Sequence, residues 1–267
     1  MAKIFDCLTF YNENFLVNSR FQILNDYVDY FVVCESRYDH KGNKKKLNFN
    51  LIDKKFSKKI RYIVVNEKFP NNDSGWESER LQREELFLGI KDAQENDYIM
   101  YSDSDEIPNP KLLNKFLLKS KYGIFLQKCF VYKLNIFNPY ESPWEGTRIC
   151  KKKNLKSFSH LRKTIKKKNL KKSFWKFNIE KSIDIIEDGG WHFNNLYTPE
   201  IISKKLQVSP HQEFSSSDFT NIEVVKKKIY DLEDLYNRGH KYKKVQIDKS
   251  YPDLFLRNIN SLKDYIL

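Results

Sequence analysis

The 267 residues include 40% hydrophobic and 15% aromatic side chains, enough apolar mass for one large globular unit or two small ones. Charged residues reach 31%, but apolar runs recur along most of the length, which excludes a disordered chain, and no run reaches the ~20 apolar residues of a membrane span. The net charge of +13 is local: residues 146–179 hold thirteen of the 48 basic side chains and no acid, and the rest carries 35 of each sign.

The first residues, Met1-Ala2-Lys3, lead into an apolar stretch that Asp6 interrupts, too short for a secretory signal core. A strand is predicted at 4–10 and a helix over 13–27, where Leu16, Ile23, Leu24 and Tyr27 recur at helical spacing. Further strands are predicted at 30–34, 60–65 and 97–101, with a helix over about 78–94 before the last. Cys7, Cys34, Cys129 and Cys150 are widely separated, with neither metal-site nor disulfide spacing. Buried thiols in a reducing cytoplasm are the expectation. Strands alternating with helices of this length predict an α/β fold with a mainly parallel central sheet flanked by helices. Ligands in such sheets bind at the C-terminal strand ends, which brings 9–13, Glu35, Asn66 and 102–106 to one edge.

Beyond Pro110 the pattern predicts a short helix over 112–118 capped by Asn109 and a long strand over 123–134. The basic segment 146–179 follows, then a strand at 183–186, a double-glycine turn at Gly189-Gly190, and helices near 199–208 and 221–236. The expected organisation is a catalytic unit over 1–215 and a helical extension over 216–267. Within the unit, 1–108 forms one half, holding the strand ends named above, and 109–215 a second half with a basic insertion at 146–179.

The segment Tyr101-Ser102-Asp103-Ser104-Asp105-Glu106 sits where a buried strand stops. Two aspartates one residue apart can aim both carboxylates at one divalent cation, and oxygen ligands of this kind suit Mn2+ or Mg2+. Such a metal would neutralise charge on a departing nucleoside diphosphate. The plain alternative is a solvated acidic loop.

Other groups have two readings each. Thr9, Phe10, Tyr11, Asn12 and Glu13 end the first strand, either as strand stop and helix cap or as a uracil and ribose pocket with aromatic faces. Glu35 can accept a nucleoside hydrogen bond or simply be a strand-end acid. Arg80 and Arg83 either form surface ion pairs or grip a diphosphate. Trp144 and Arg148 are candidates for an acceptor platform. In Asp188-Gly189-Gly190-Trp191-His192-Phe193 the glycines allow close backbone approach and place Trp191, a further acceptor candidate, and His192 beside a carboxylate. His192 either completes a cation's shell or is a core histidine.

These blocks, in this order, resemble glycosyltransferase family 17: residues 5–13, 28–36, Gln82-Arg83, 102–108 and Gly190-Trp191-His192-Phe193. The resemblance spans roughly 3–214. It implies a GT-A-type fold, a UDP-sugar donor (UDP-GlcNAc in characterised members), a divalent cation and inversion at the anomeric carbon. It favours donor binding by Thr9, Phe10, Tyr11, Asn12, Glu13, Glu35, Arg83, Asp103 and Ser104, with Arg80 beside them. Asp103, Asp105 and His192 become the expected metal ligands. Inversion needs a carboxylate base, for which Asp188 and Glu213 are candidates. The basic segment departs from the family pattern. With no membrane anchor, the expectation is a cytoplasmic, bacterial relative building a surface glycan, with a glycan or lipid-linked glycan as acceptor. The basic segment, which also carries Phe158, Phe174, Trp175 and Phe177, then contacts the anionic inner face of the membrane. Two rivals remain: a nucleic-acid-binding protein, the less favoured partner, and a metal-dependent phosphoesterase using Asp103, Asp105 and Glu106.

Overall fold

A computed structural model describes residues 2–70, 75–173, 175–208, 214 and 216–267. In chain order the elements are β1 (Ile4–Phe10), α1 (Asn14–Leu24), β2 (Tyr30–Ser36), β3 (Ile60–Val65), α2 (Gly75–Glu84), β4 (Tyr98–Asp103), β5 (Glu106–Pro108), β6 (Tyr122–Val131), β7 (Ile136–Phe137), β8 (Trp144–Lys151), β9 (Ile183–Ile186), β10 (Gly190–Asn194), α3 (Pro199–Val208), α4 (Ser217–Thr220), α5 (Ile222–Tyr230), β11 (Lys243–Lys244) and α6 (Asp253–Arg257). β3, β2, β1 and β4 lie side by side and parallel. β8 runs antiparallel between β4 and β6, and β9 and β10 add to β6 in parallel. The α/β arrangement that the sequence predicts is present, with its parallel strands in β1 to β4 and a sheet that turns mixed from β8 onward.

β1 and β2 are buried along almost their whole length, as continuous apolar runs covered on both faces must be. One face packs Leu8, Phe10, Val17, Phe21 and Phe31 together; the other packs Cys7, Val32, Leu86, Tyr101 and Phe158. All four cysteines are free and buried. The expected cap of α1 shifts by one residue: Glu13 takes the N-cap position and turns its carboxylate back to the amides of Tyr11 and Asn12 at 3.1 and 2.9 Å. The predicted helix over 78–94 is α2 followed by a tighter 3-10 run, Glu85–Ile90. There a side chain at Gly89 would meet Val32 Cγ1 at 2.2 Å. The chain passes β2 so closely that only glycine fits.

The larger departure is β8. Residues taken as the start of a basic insertion form an interior strand between β4 and β6, so the sheet runs through the expected boundary at residue 108. Arg148 is tolerated at its centre because carbonyl oxygens of Glu145, Gly146 and Ile165 receive its guanidinium N–H groups. The segment 216–267 contains β11 as well as helices. It also joins the core: Tyr251, Phe255 and Leu262 pack on Phe130, Trp191 and Phe193.

Candidate active site

The C-terminal ends of β1 and β4 open into a cleft of about 370 Å3. Thr9, Phe10, Tyr11 and Glu13 line one side; Asp103, Ser104 and Asp105 line another, with Trp144 and His192 facing them. The Phe10 ring itself turns into the core, edge-on to Phe49 at 5.5 Å, so Phe10 offers the cleft mainly its backbone.

The acidic loop rests on a buried ionic strut. Arg20 of α1 donates from Nε and Nη2 to the two oxygens of Asp6 at 2.6 and 2.5 Å, and from Nη2 to Ser102 Oγ at 2.8 Å. Its Nη1 donates to the carbonyl of Glu106. Arg20, Asp6 and Ser102 are fully buried, so this fork fixes where β4 ends and the loop begins. On the far side the Asp105 carbonyl accepts the Phe193 amide at 2.8 Å.

The two aspartates have different partners. Asp103 accepts a hydrogen bond from the Tyr101 hydroxyl at 3.1 Å and pairs with Arg162. Arg162 also donates to Glu106 Oε1 at 2.7 Å and to the Gly146 carbonyl at 3.0 Å. The Arg83 Nε donates to Tyr101 Oη at 3.0 Å. Burial opposes charge on Asp103, but Arg162 and Arg83 outweigh it and hold the carboxyl below its usual range. Asp105 lies 3.5 Å from His192 Nε2. Burial opposes its charge as well, yet the imidazole carries it down to about 2. In return, Asp105 and Cys129 overcome the burial of His192 and hold it well above its ordinary value. The His192 ring stacks on Trp144 at 4.7 Å, and Trp144 Nε1 donates to Glu106 Oε1 at 2.7 Å.

Asp103, Asp105 and His192 therefore face one cleft without converging on one point. Among the described residues, no group of three or more His, Cys, Asp and Glu is gathered to hold a metal. Two carboxylates, with the His192 ring beside Asp105, face the cleft. That donor set still fits a hard divalent cation, because Mg2+-type sites use one or two carboxylates and take their remaining oxygens from substrate phosphates and water.

Several expected residues have other work. Glu35 is fully buried, its oxygens accepting from Lys45 Nζ at 2.6 Å, Asn48 N at 2.7 Å, Phe49 N at 3.0 Å and Tyr62 Oη at 2.7 Å. It pins a loop and has no lone pair left for a nucleoside. Arg148 is 0% exposed and cannot face an acceptor. Trp191 points to the opposite side of β10 from His192, into the core, with Nε1 donating to the Ser250 carbonyl at 2.9 Å. Asp188 lines a different cleft with Trp191 and Lys128. The glycines after it serve packing: at Gly190, φ +127°, a Cβ would lie 2.1 Å from the Ile107 carbonyl. Asn12 opens on a third cleft beside Tyr132. Arg80 pairs with Glu77 and Arg83 with Glu79, and both line a cleft next to the acidic one. Glu213 lies outside the described residues.

Asp39, His40, Asn194 and Lys205 also line the acidic cleft and were not read from sequence. Lys205 lies 3.9 Å from Glu13, and nothing in the sequence links the two. Arg162 and Glu106 were missed as partners because one sat in a charge run and the other in an acidic cluster.

A mixed α/β sheet whose parallel strand ends carry a cleft walled by an Asp-x-Asp loop is the build of a GT-A-type transferase. The chain belongs to glycosyltransferase family 17, whose model matches residues 1–245, and it is a glycosyltransferase. The match runs past the resemblance at 3–214 into β11. No curated protein matches the chain. Among solved structures it is similar to glucosyl-3-phosphoglycerate synthase from Mycobacterium tuberculosis. The complex of that protein with Mn2+, UDP and glucosyl-3-phosphoglycerate shares 13% identity over 71% of this chain and 71% of that one, at a TM-score of 0.39. Its complex with Mg2+ and UDP shares 15% over 78% and 76%, at 0.38. A further structure of that synthase shares 14% over 96% and 92%, also at 0.38. All are distant similarities.

Proposed function

We propose that this glycosyltransferase moves a sugar, GlcNAc by family precedent, from a UDP-sugar to a hydroxyl of a glycan or lipid-linked glycan acceptor, with inversion, in bacterial surface-glycan synthesis. The observation that carries the reading is the pairing of two ionised carboxylates, Asp103 and Asp105, across one cleft from the end of β1. Asp103 and Asp105 would hold Mn2+ or Mg2+, which supplies positive charge against the departing diphosphate. His192 orients Asp105 through its ion pair. Lys205 adds a cation at the rim, and Thr9 and Tyr11 form the wall for the nucleoside.

The base must be a carboxylate at the cleft. Glu13 and Asp39 are spent on backbone amides of their own turns. Glu79 lines the cleft at its border with the neighbouring one, and we assign it to take the proton from the acceptor hydroxyl. UDP release from a panel of UDP-sugars with Mn2+ and a glycan acceptor tests both points. One donor is expected to release UDP, and Glu79→Gln is expected to lower kcat by about a hundredfold while leaving KM for the donor unchanged. No release from any donor rejects the function; full activity in Glu79→Gln rejects the base.

We also place the enzyme at an anionic membrane face. Lys168, Lys171, Lys172 and Lys176 are exposed beside Leu170 (41%), Trp175 (63%) and Phe177 (89%), a mixture suited to lipid headgroups at ~1 kcal/mol per cation. No helix among the described residues is long and apolar enough to cross a membrane. In liposome flotation, binding is expected to rise with anionic lipid and to fall in Phe177→Ser; indifference to lipid charge contradicts it.

A further inference from the structure

A second cleft, of about 640 Å3, lies between α2 and the single helical turn His160–Thr164, and Trp76 lines both it and the acidic cleft. Its cations are Arg80, Arg83 and Lys163. Lys163 sits over the Trp76 ring at 4.6 Å and reaches Glu79 at 3.4 Å. Among the described residues Arg80 is held by Glu77, in an exposed pair that a stronger anion replaces easily.

Three residues lining this cleft carry buried polar atoms with no hydrogen-bond partner: Arg83 Nη1, Ser159 Oγ and His160 Nδ1. Arg83 is 1% exposed, and its other nitrogens are engaged by Tyr101 and Glu79. Buried polar atoms left unpaired are rare in folded proteins. Three of the seven such side-chain atoms among the described residues belong to residues around this one opening. Arginine forks match phosphate oxygens two at a time, and a lysine adds a point charge. Three cations with a serine hydroxyl and an imidazole outnumber what a single carboxylate would need, whereas a phosphate monoester has oxygens for all of them.

We propose that this cleft binds the phosphate ester group of the acceptor and so presents an acceptor hydroxyl across Trp76 and Glu79 to the donor cleft. The acceptor role rests on the glycosyltransferase reading; the binding of phosphate does not. Asp103 and Asp105 line the acidic cleft and not this one, and Glu79 of the acidic cleft pairs with Arg83 and Lys163 of this one, so donor and acceptor phosphates would occupy different, adjoining places.

Calorimetric titration of the full chain with inorganic phosphate, with and without saturating UDP and Mn2+, is the test. Phosphate is expected to bind in both conditions. The double variant Arg80→Ala, Lys163→Ala changes only partly exposed side chains; it is expected to weaken phosphate about tenfold and to leave UDP affinity unchanged. Glucose 6-phosphate stands for a soluble acceptor and a short prenyl phosphate for a lipid-linked one. At least one should displace inorganic phosphate, and the tighter one names the source. Absence of phosphate binding overturns the proposal, as does displacement by UDP, full phosphate affinity in the variant, equal loss of UDP affinity, or displacement by neither ester. Failure of UDP to bind while phosphate still does would reject the donor reading and not this site.

Discussion

Replacing Asp105 with alanine is expected to lower kcat for sugar transfer by about a thousandfold, the scale on which a charge-stabilising group at a reaction centre acts, and to cost some stability, because the buried His192 loses its counter-charge. The reason lies in its surroundings. The side chain sits at the loop tip with His192 as its neighbour at 3.5 Å, and it is free of the Arg20 and Arg162 contacts that hold the rest of the loop. Its depressed pKa, about 2, keeps it ionised at every working pH, so its role is that of a fixed charge. Asp103→Ala should be equally inactive but also alter the loop, because it releases Arg162 toward Glu106. Steady-state kinetics with thermal unfolding on both variants checks the contrast. A folded Asp105→Ala enzyme with near-native kcat would contradict it.

The second large effect is on stability. Arg20→Met is expected to destabilise the fold by about 3–5 kcal/mol, because it leaves the Asp6 carboxylate buried without its partner. Two further contacts go with it, to Ser102 and to the Glu106 carbonyl, and with them the register of the acidic loop. The double variant Asp6→Leu, Arg20→Met should regain most of the stability, since a well-packed apolar pair can replace a buried ion pair. It should stay slow, however, because Arg20 also fixes the loop that carries Asp103. Urea unfolding with an unchanged m-value reads the first part and kcat the second. A loss below about 1 kcal/mol in the single variant would show that the strut is dispensable.

The parallel half of the sheet was legible because β1, β2 and β4 are apolar runs, broken only by Asp6, that end in polar residues, and burial on both faces writes itself that way in sequence. β8 was not, because Trp-Glu-Gly-Thr-Arg-Ile-Cys-Lys mixes charge into an interior strand. Arg148 and Arg162 look like members of a solvated basic run until nearby carbonyls are seen to receive the first, and the distant carboxylates of Asp103 and Glu106 the second. The cleft was legible where chemistry is local: Asp103, Ser104 and Asp105 at one strand end, Thr9 and Tyr11 at another. It was illegible where function depends on direction. Trp191 and His192 are neighbours in sequence, yet a strand sends them to opposite faces, and Asp188, in the turn before that strand with φ +48°, lines the other cleft with Trp191. Glu35 reached the expected strand end, but a loop some ten residues further on uses up its oxygens.

Titration calorimetry of UDP into the purified protein, with Mn2+ and then with the cation chelated, goes to the centre of the account. Binding that requires the divalent ion in the wild type and disappears in a folded Asp105→Ala variant is the predicted result. A folded wild-type protein with no cation-dependent affinity for any nucleoside diphosphate would contradict it.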